Sequence, residues 1–139
     1  MTKTFLITAG VSGFITVILG AVGSHLLSGN ISPAHLTAFN IAIKFEMYHT
    51  LALLALAFAG SLIPLRQLKT IYFFFLFGIL LFSFSIYLTS TMEISGLHLG
   101  SLHVLPPFGG VSFMLGWIWL IWAGITYRQK ISKVNQDKN

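Results

Sequence analysis

The sequence predicts an all-α membrane protein, with one domain over residues 1–139 in which four transmembrane helices form a bundle and both termini are cytoplasmic. Three observations support this fold class. Only 8% of the residues are charged, whereas a soluble domain carries roughly 25% charged residues. Four windows contain the ~20 apolar residues that cross a hydrocarbon core, and basic residues recur on alternate sides of these windows. The helices are therefore predicted at about 5–27, 33–63, 71–90 and 108–127, with a basic cytoplasmic tail at 128–139.

The distribution of positive charge predicts the orientation of the helices. Lys44 apart, the basic residues lie before helix one, between helices two and three, or in the tail: Lys3, Arg66, Lys69, Arg128, Lys130, Lys133 and Lys138. Because cytoplasmic loops carry an excess of Lys and Arg, the connections at 28–40 and 91–107 are predicted to face outward. Lys44 is placed at the outer headgroup level, where its long side chain can extend to water. The net charge of +5 then indicates topology and contact with membrane lipids, with no nucleic acid as a partner.

The first hydrophobic segment has some features of a secretory signal, because Lys3 precedes an apolar run and small residues follow at 20–24. Its apolar stretch is longer than the roughly 7–15 residues of a signal core, so we expect it to be retained as helix one. The chain has no Cys, which excludes thiolate and iron–sulfur chemistry. It also lacks a nucleophile–base motif and a phosphate-binding loop motif. The sequence therefore predicts neither an enzyme nor a bound cofactor.

Two helices carry small residues at intervals that place them on one face. Helix one has Thr8, Ser12, Thr16, Gly20 and Ser24 at every fourth position, and helix four has Gly109, Ser112, Gly116 and Ala123. Residues four apart share a helix face, and small side chains let membrane helices approach closely. We therefore expect helices one and four to pack through these faces, with contact positions at Ser12, Thr16, Gly20, Gly109 and Gly116. The sequence leaves open which partner each face contacts.

Helix two carries ionisable side chains inside its predicted span. Glu46 and His49 lie one turn apart on nearly the same face, and an ionisable group in a membrane helix is costly unless it is paired. Two interpretations remain open, namely a hydrogen-bonded element that holds helix two against its neighbours, and a functional site. We predict that His25, arriving from the outer end of helix one, joins Glu46, Tyr48 and His49 in a polar intramembrane cluster.

All five His residues fall in the predicted outer half of the protein, which raises the alternative of metal or haem binding. The spacing Glu46-x-x-His49 is the one that a helix supplies to a di-metal carboxylate bundle. Such a site needs more acids than the three in this chain, so a di-iron site within one subunit is excluded. A single Zn²⁺ or Cu²⁺ held by His25, His49 and either Glu46 or His98 remains an alternative, as does bis-His haem. The primary prediction is that no metal is bound.

Four motifs carry a resemblance to a known family. They are GAVGSH ending at His25, EMYHTLALL with Glu46 and His49, LFSFSIY ending at Tyr87, and PPFGGVSFMLGW with Gly109 and Gly116. Over about residues 10–127 the chain resembles the YwdK/YgdD-type small bacterial inner-membrane proteins, a UPF0382-like family with four predicted membrane helices. The resemblance implies a multi-pass protein of the bacterial plasma membrane, and it implies no particular activity. The family pattern has Gln at the position of Glu46, which favours a hydrogen-bonding role for this side chain.

Two functional hypotheses follow from these features. The first is a structural or accessory membrane protein, whose polar residues hold the bundle together and whose surface meets a membrane-protein partner or a second copy. The second is a small proton-coupled transporter, similar to the four-helix multidrug type that uses one intramembrane Glu. In that type the Glu lies in helix one, whereas here Glu46 lies in helix two. This difference favours the structural hypothesis.

Overall fold

The computed structural model describes residues 2–96 and 100–127, and in this part the chain is helical with no strand. Four long helices follow one another: α1 (Thr2–Leu27), α2 (Pro33–Ser61), α3 (Leu65–Ser90) and α4 (Gly100–Ile125). Each is long and apolar enough to cross a membrane, so the prediction of an all-α protein with four transmembrane helices is confirmed. The predicted tail at 128–139 and His98 lie outside the described residues.

The helices begin and end with recognisable local signals. Ser32 caps α2 by accepting a hydrogen bond from the backbone N–H of His35, and Pro33 follows at the first turn, where its missing N–H costs nothing. α3 begins directly after Pro64, so Arg66 and Lys69 lie in its first turns rather than in a connection as predicted. A hydropathy window marks only the apolar part of a helix, and polar residues continue α3 beyond that part.

Each helix also departs locally from α-helical geometry. α1 ends in a π-helical segment, Gly23–Leu27, and α3 contains another, Ile79–Phe84. α2 ends in a 3₁₀ turn, Ala59–Ser61, and α4 begins with one, Gly100–Val104. A single helical turn, Met92–Ser95, follows α3 and ends at Gly96, which has a positive φ of 66°.

The bundle is built from two helix pairs, with α1 packed mainly on α2 and α4 mainly on α3. One apolar cluster, centred on Leu53, Ile71 and Phe75, fills the end of the bundle near the start of α1. A second cluster around Phe39 and Ala42 fills the opposite end. The middle of α2, with its polar side chains, therefore lies between two apolar layers.

Glycines set the close approach of α3 and α4. A Cβ atom on Gly78 would lie 2.3 Å from the Phe113 ring, one on Gly109 would lie 2.4 Å from the backbone nitrogen of Phe82, and one on Gly116 would lie 2.5 Å from the Phe75 ring. No real Cβ tolerates these distances. The predicted contact positions Gly109 and Gly116 thus lie at a tight interface, and the partner of this face is α3.

The small-residue face of α1 contacts α2, but not along the whole predicted stripe. Ser12 and Thr16 are buried, whereas a Cβ on Gly20 would have no neighbouring heavy atom within 4 Å. The prediction of a packing role for Gly20 is therefore wrong. The reason is geometric, because a stripe of every fourth residue advances by 400° per step and winds about 40° around the helix each time. The buried face instead follows steps of four, three and seven residues: Phe5, Ala9, Ser12, Thr16, Gly23 and Leu27.

Candidate functional site

The carboxylate of Glu46 lies at the junction of three helices. The side chain is only 3% exposed, and its two oxygens accept one hydrogen bond each. Ser12 of α1 donates from Oγ to Oε1 over 3.1 Å, and Tyr87 of α3 donates from its hydroxyl to Oε2 over 2.6 Å. Glu46 therefore connects α2 to both α1 and α3 through charge-assisted or neutral hydrogen bonds, according to its protonation.

A second layer of hydroxyl groups orients these donors. Thr50, one turn after Glu46, lies 2.7 Å from Ser12 Oγ. Because the Ser12 hydroxyl donates its single hydrogen to Glu46, Thr50 is the donor in this contact. Thr16 donates to the backbone carbonyl of Ser12 over 2.8 Å, so its hydroxyl is satisfied within α1. The Tyr87 ring packs against Phe39 at 4.9 Å between centroids.

The π-helical segment of α3 ends at Phe84, three residues before Tyr87. Such segments are rare in α-helices and often occur at functional sites. Within this segment Ser83 donates from Oγ to the carbonyl of Ala42 over 3.1 Å, which ties α3 to α2 one turn from Glu46. An extra residue in a helical turn rotates everything that follows by about 100°. The segment thereby sets the angular position from which Tyr87 reaches Glu46.

His49 lies in the same helix as Glu46 but has different partners. Its Nδ1 bonds to the carbonyl of Phe45 over 2.7 Å, and Trp117 of α4 donates from Nε1 to His49 Nε2 over 3.1 Å. Because indole N–H can only donate, Nε2 is the acceptor and Nδ1 carries the hydrogen. The ring stacks on Phe113 at 3.5 Å between centroids with an interplanar angle of 14°. This neutral imidazole has no nitrogen left for a metal ion.

The predicted polar cluster does not form as a unit. His25 is exposed near the end of α1, and Tyr48 is 60% exposed, so neither joins Glu46 or His49. His25 was included in the predicted cluster because of its position along helix one. That position does not determine which way a side chain points around the helix axis. Tyr48 lies two residues after Glu46, about 200° around α2, and therefore points away from it.

Two residues of the hydroxyl network around Glu46 were absent from the predicted site, namely Tyr87, which donates to Glu46, and Thr50, which bonds to Ser12. In the sequence, Tyr87 stands out only as the last residue of the family motif LFSFSIY, and Thr50 does not stand out. A sequence signal existed for Thr50, because residues four apart on a helix are neighbours. For Tyr87 the signal was weaker, namely a hydroxyl in the same half of the bundle as Glu46.

The connections that follow α1 and α3 form a separate polar contact. Glu93 accepts a 2.7 Å hydrogen bond from the backbone N–H of Ser32 and lies 2.6 Å from His35 Nδ1. The Ser32 N–H lowers the pKa of the Glu93 carboxyl, with smaller effects from the Ser32 and His35 side chains. The contact joins the turn after α3 to the start of α2.

The alternative of a metal site held by His25, His49 and Glu46 has no support in this geometry, because these residues do not come together. Across 2–96 and 100–127 no three His, Asp or Glu side chains are grouped closely enough to hold a metal ion. His103 is exposed in the 3₁₀ turn that begins α4.

Comparisons with known proteins agree with a location in the membrane. The family model for a protein of unknown function, DUF423, matches residues 19–110. The UPF0382 membrane protein YwdK of Bacillus subtilis is 34% identical over 126 residues, which cover 90% of this chain and 98% of the relative. The UPF0382 inner membrane protein YgdD of Escherichia coli K12 is 35% identical over 135 residues, 94% of this chain and 96% of the relative.

A further relative comes from Staphylococcus aureus, where the UPF0382 membrane protein SAB0533 is 34% identical over 121 residues, 87% of this chain and 94% of the relative. No solved structure matches the chain. Four membrane-length helices and relatives that align over most of their length identify a multi-pass protein of the cell membrane, and the chain belongs to the UPF0382 (DUF423) family.

Proposed function

We propose that the protein is a structural or accessory membrane protein and not an enzyme. The observation that supports this proposal is that Glu46 and His49 form hydrogen bonds with protein partners on other helices or on their own backbone. A catalytic acid or base needs a group that reaches a substrate. Here the ionisable groups in the centre of the bundle instead connect α1, α2, α3 and α4.

Its partners in this proposal are membrane lipids, together with a membrane-protein partner or a second copy of the chain. Large apolar side chains cover the outside of the bundle, among them Phe14 at 68% exposure, Phe58 at 69% and Ile125 at 72%. In a bilayer these side chains face lipid tails or another membrane helix, and no water-soluble partner is needed to cover them.

A stability series run beside a transport assay tests this function. If Glu46 is structural, Glu46→Gln keeps an acceptor for Ser12 and a donor for the Tyr87 oxygen, and it should unfold near the wild-type temperature. Glu46→Ala should unfold at a lower temperature. A proton-coupled transporter would require the carboxylate to exchange a proton, so loss of proton-coupled uptake in Glu46→Gln with unchanged stability would favour transport and contradict the structural proposal.

A further inference from the structure

A cleft of about 620 Å³ runs between α1 and α3, with α2 as its floor. Its walls include Val11 and Ile15 of α1 and Leu80 and Tyr87 of α3, and Glu46 lies at its base. The volume falls in the range of roughly 300–1,000 Å³ that is typical of small-molecule sites. The cleft opens on the side of the bundle that faces the lipid.

The shape of the cleft follows from how α1 and α3 meet. At one end they touch, because Thr8 Oγ1 lies 2.7 Å from the Tyr72 hydroxyl and Phe5 stacks on Tyr72 at 4.5 Å between centroids. From there the cleft extends along both helices as far as Val22 and Thr91. The contact at Tyr72 closes one end, and the space beyond it is enclosed by apolar walls.

The cleft contains a group that can be negatively charged and, within residues 2–96 and 100–127, no basic side chain to pair with it. Glu46 is its ionisable acid, and no Lys or Arg of the described residues lines it. An ionised carboxylate has about four acceptor positions, and Ser12 and Tyr87 use one on each oxygen. A carboxylate in a membrane interior is costly without a cation. A positively charged donor in the cleft would use the remaining acceptor positions and supply the missing charge.

The walls of the cleft limit what this donor can be. Most of the side chains that line the cleft are apolar, and Glu46 lies at its base. The occupant must therefore bring a polar group to Glu46 on an apolar body.

We propose that this cleft binds a lipophilic amine, in which a protonated amino group donates to Glu46 and a hydrocarbon chain lies along the walls formed by α1 and α3. The ligand enters sideways from the bilayer. This binding role goes beyond the structural role of Glu46 and uses the same hydrogen bonds, because Ser12 and Tyr87 hold the carboxylate in place at the base of the cleft.

Binding can be measured with the full chain in phosphatidylcholine nanodiscs, dialysed against dodecylamine or dodecanol and compared with empty nanodiscs. The wild type should retain dodecylamine saturably above the empty discs, with an affinity roughly tenfold or more above that for dodecanol. Glu46→Gln should reduce the affinity for dodecylamine to that for dodecanol. Equal retention of the two compounds by the wild type would overturn the proposal.

A matched pair of variants keeps the test independent of any effect of Glu46 on folding. Leu80, 48% exposed, lines the cleft, whereas Phe77, 53% exposed on the same helix, does not. Leu80→Trp should fill the cleft and abolish saturable retention of dodecylamine, and Phe77→Trp should retain it as the wild type does. Unchanged retention in Leu80→Trp would overturn the proposal. The proposal would also be overturned if the wild type formed a dimer that retains no amine and if Leu80→Trp dissociated this dimer. That result would show that a second copy of the chain covers the cleft.

Discussion

The Tyr87 hydroxyl donates a 2.6 Å hydrogen bond to Oε2 of Glu46 and joins α3 to α2 in the middle of the bundle. Both side chains are buried, at 7% and 3% exposure. Because water is excluded from this place, an oxygen of Glu46 that loses its donor has no replacement. The bond thus links the two helix pairs, since Glu46 also accepts from Ser12 of α1.

Removal of this donor should destabilise the protein. In Tyr87→Phe one buried carboxylate oxygen loses its partner, which costs about 1–3 kcal/mol, so the unfolding temperature in detergent should fall. Tyr48→Phe removes an exposed hydroxyl and serves as the control, with little change expected. Equal unfolding temperatures for the two variants would show that the Tyr87 bond does not hold α3 against α2.

The glycine contacts between α3 and α4 predict that the effect of a Gly→Ala substitution on stability depends on its position. Gly109→Ala places a Cβ against the backbone of Phe82, which cannot move away by rotating a side chain, so the free energy of unfolding should fall by about 1–3 kcal/mol. Gly20→Ala meets open space and should be neutral or slightly stabilising, because Ala favours helix more than Gly. Chemical unfolding in mixed micelles measures both. A neutral Gly109→Ala would mean that α3 and α4 are farther apart than described.

The hydrogen bond from Trp117 to His49 predicts a smaller effect. Trp117→Phe leaves His49 Nε2 without its donor, and since Trp117 is 44% exposed, we expect a loss of about 1 kcal/mol. Trp122→Phe, at a 55% exposed position of the same helix, provides the control for loss of an indole ring. Thermal unfolding followed by circular dichroism compares the two, and the same unfolding temperature in both would contradict the assigned role of Trp117.

The contact between Glu93 and the start of α2 predicts a pH dependence. The pKa of Glu93 is lowered in the folded protein, so this group contributes stability that is present above the usual pKa of glutamate and is lost as the pH falls through the lowered value. His35 is its titratable neighbour. The wild type should unfold at a higher temperature than Glu93→Gln near neutral pH, and the difference should shrink as the pH falls through the lowered pKa of Glu93. A difference that is constant across this range would contradict the contact.

The orientation in the membrane remains a prediction that a reporter can test. A reporter enzyme that is active only outside the cytoplasm should be inactive when it is fused after Asn139, and active when it is inserted after Gly96, because the basic residues alternate as the positive-inside rule requires. Both fusions should be checked for equal expression. Activity at the C-terminus with none at Gly96 would reverse the topology.

The sequence by itself determined the number of membrane helices and the helix face that Glu46 and His49 share. Hydropathy gives the spans because a bilayer core has a nearly constant thickness. The relative angle of Glu46 and His49 follows from the fixed 100° per residue of one helix, and both side chains are buried at 3% and 4% exposure. These properties are set within a single helix, so they need no knowledge of its neighbours.

Only the tertiary structure decided which helices those side chains contact. A helix specifies angles around its own axis, but not how that axis is rotated against another helix. For this reason His25 points outward although it was predicted to join Glu46. Tyr87 contacts Glu46 and follows a π-helical segment that no sequence pattern predicted. Gly20 and Gly116 belong to similar stripes, yet only Gly116 meets a ring of the neighbouring helix, because contact depends on the rotation and separation of both partners.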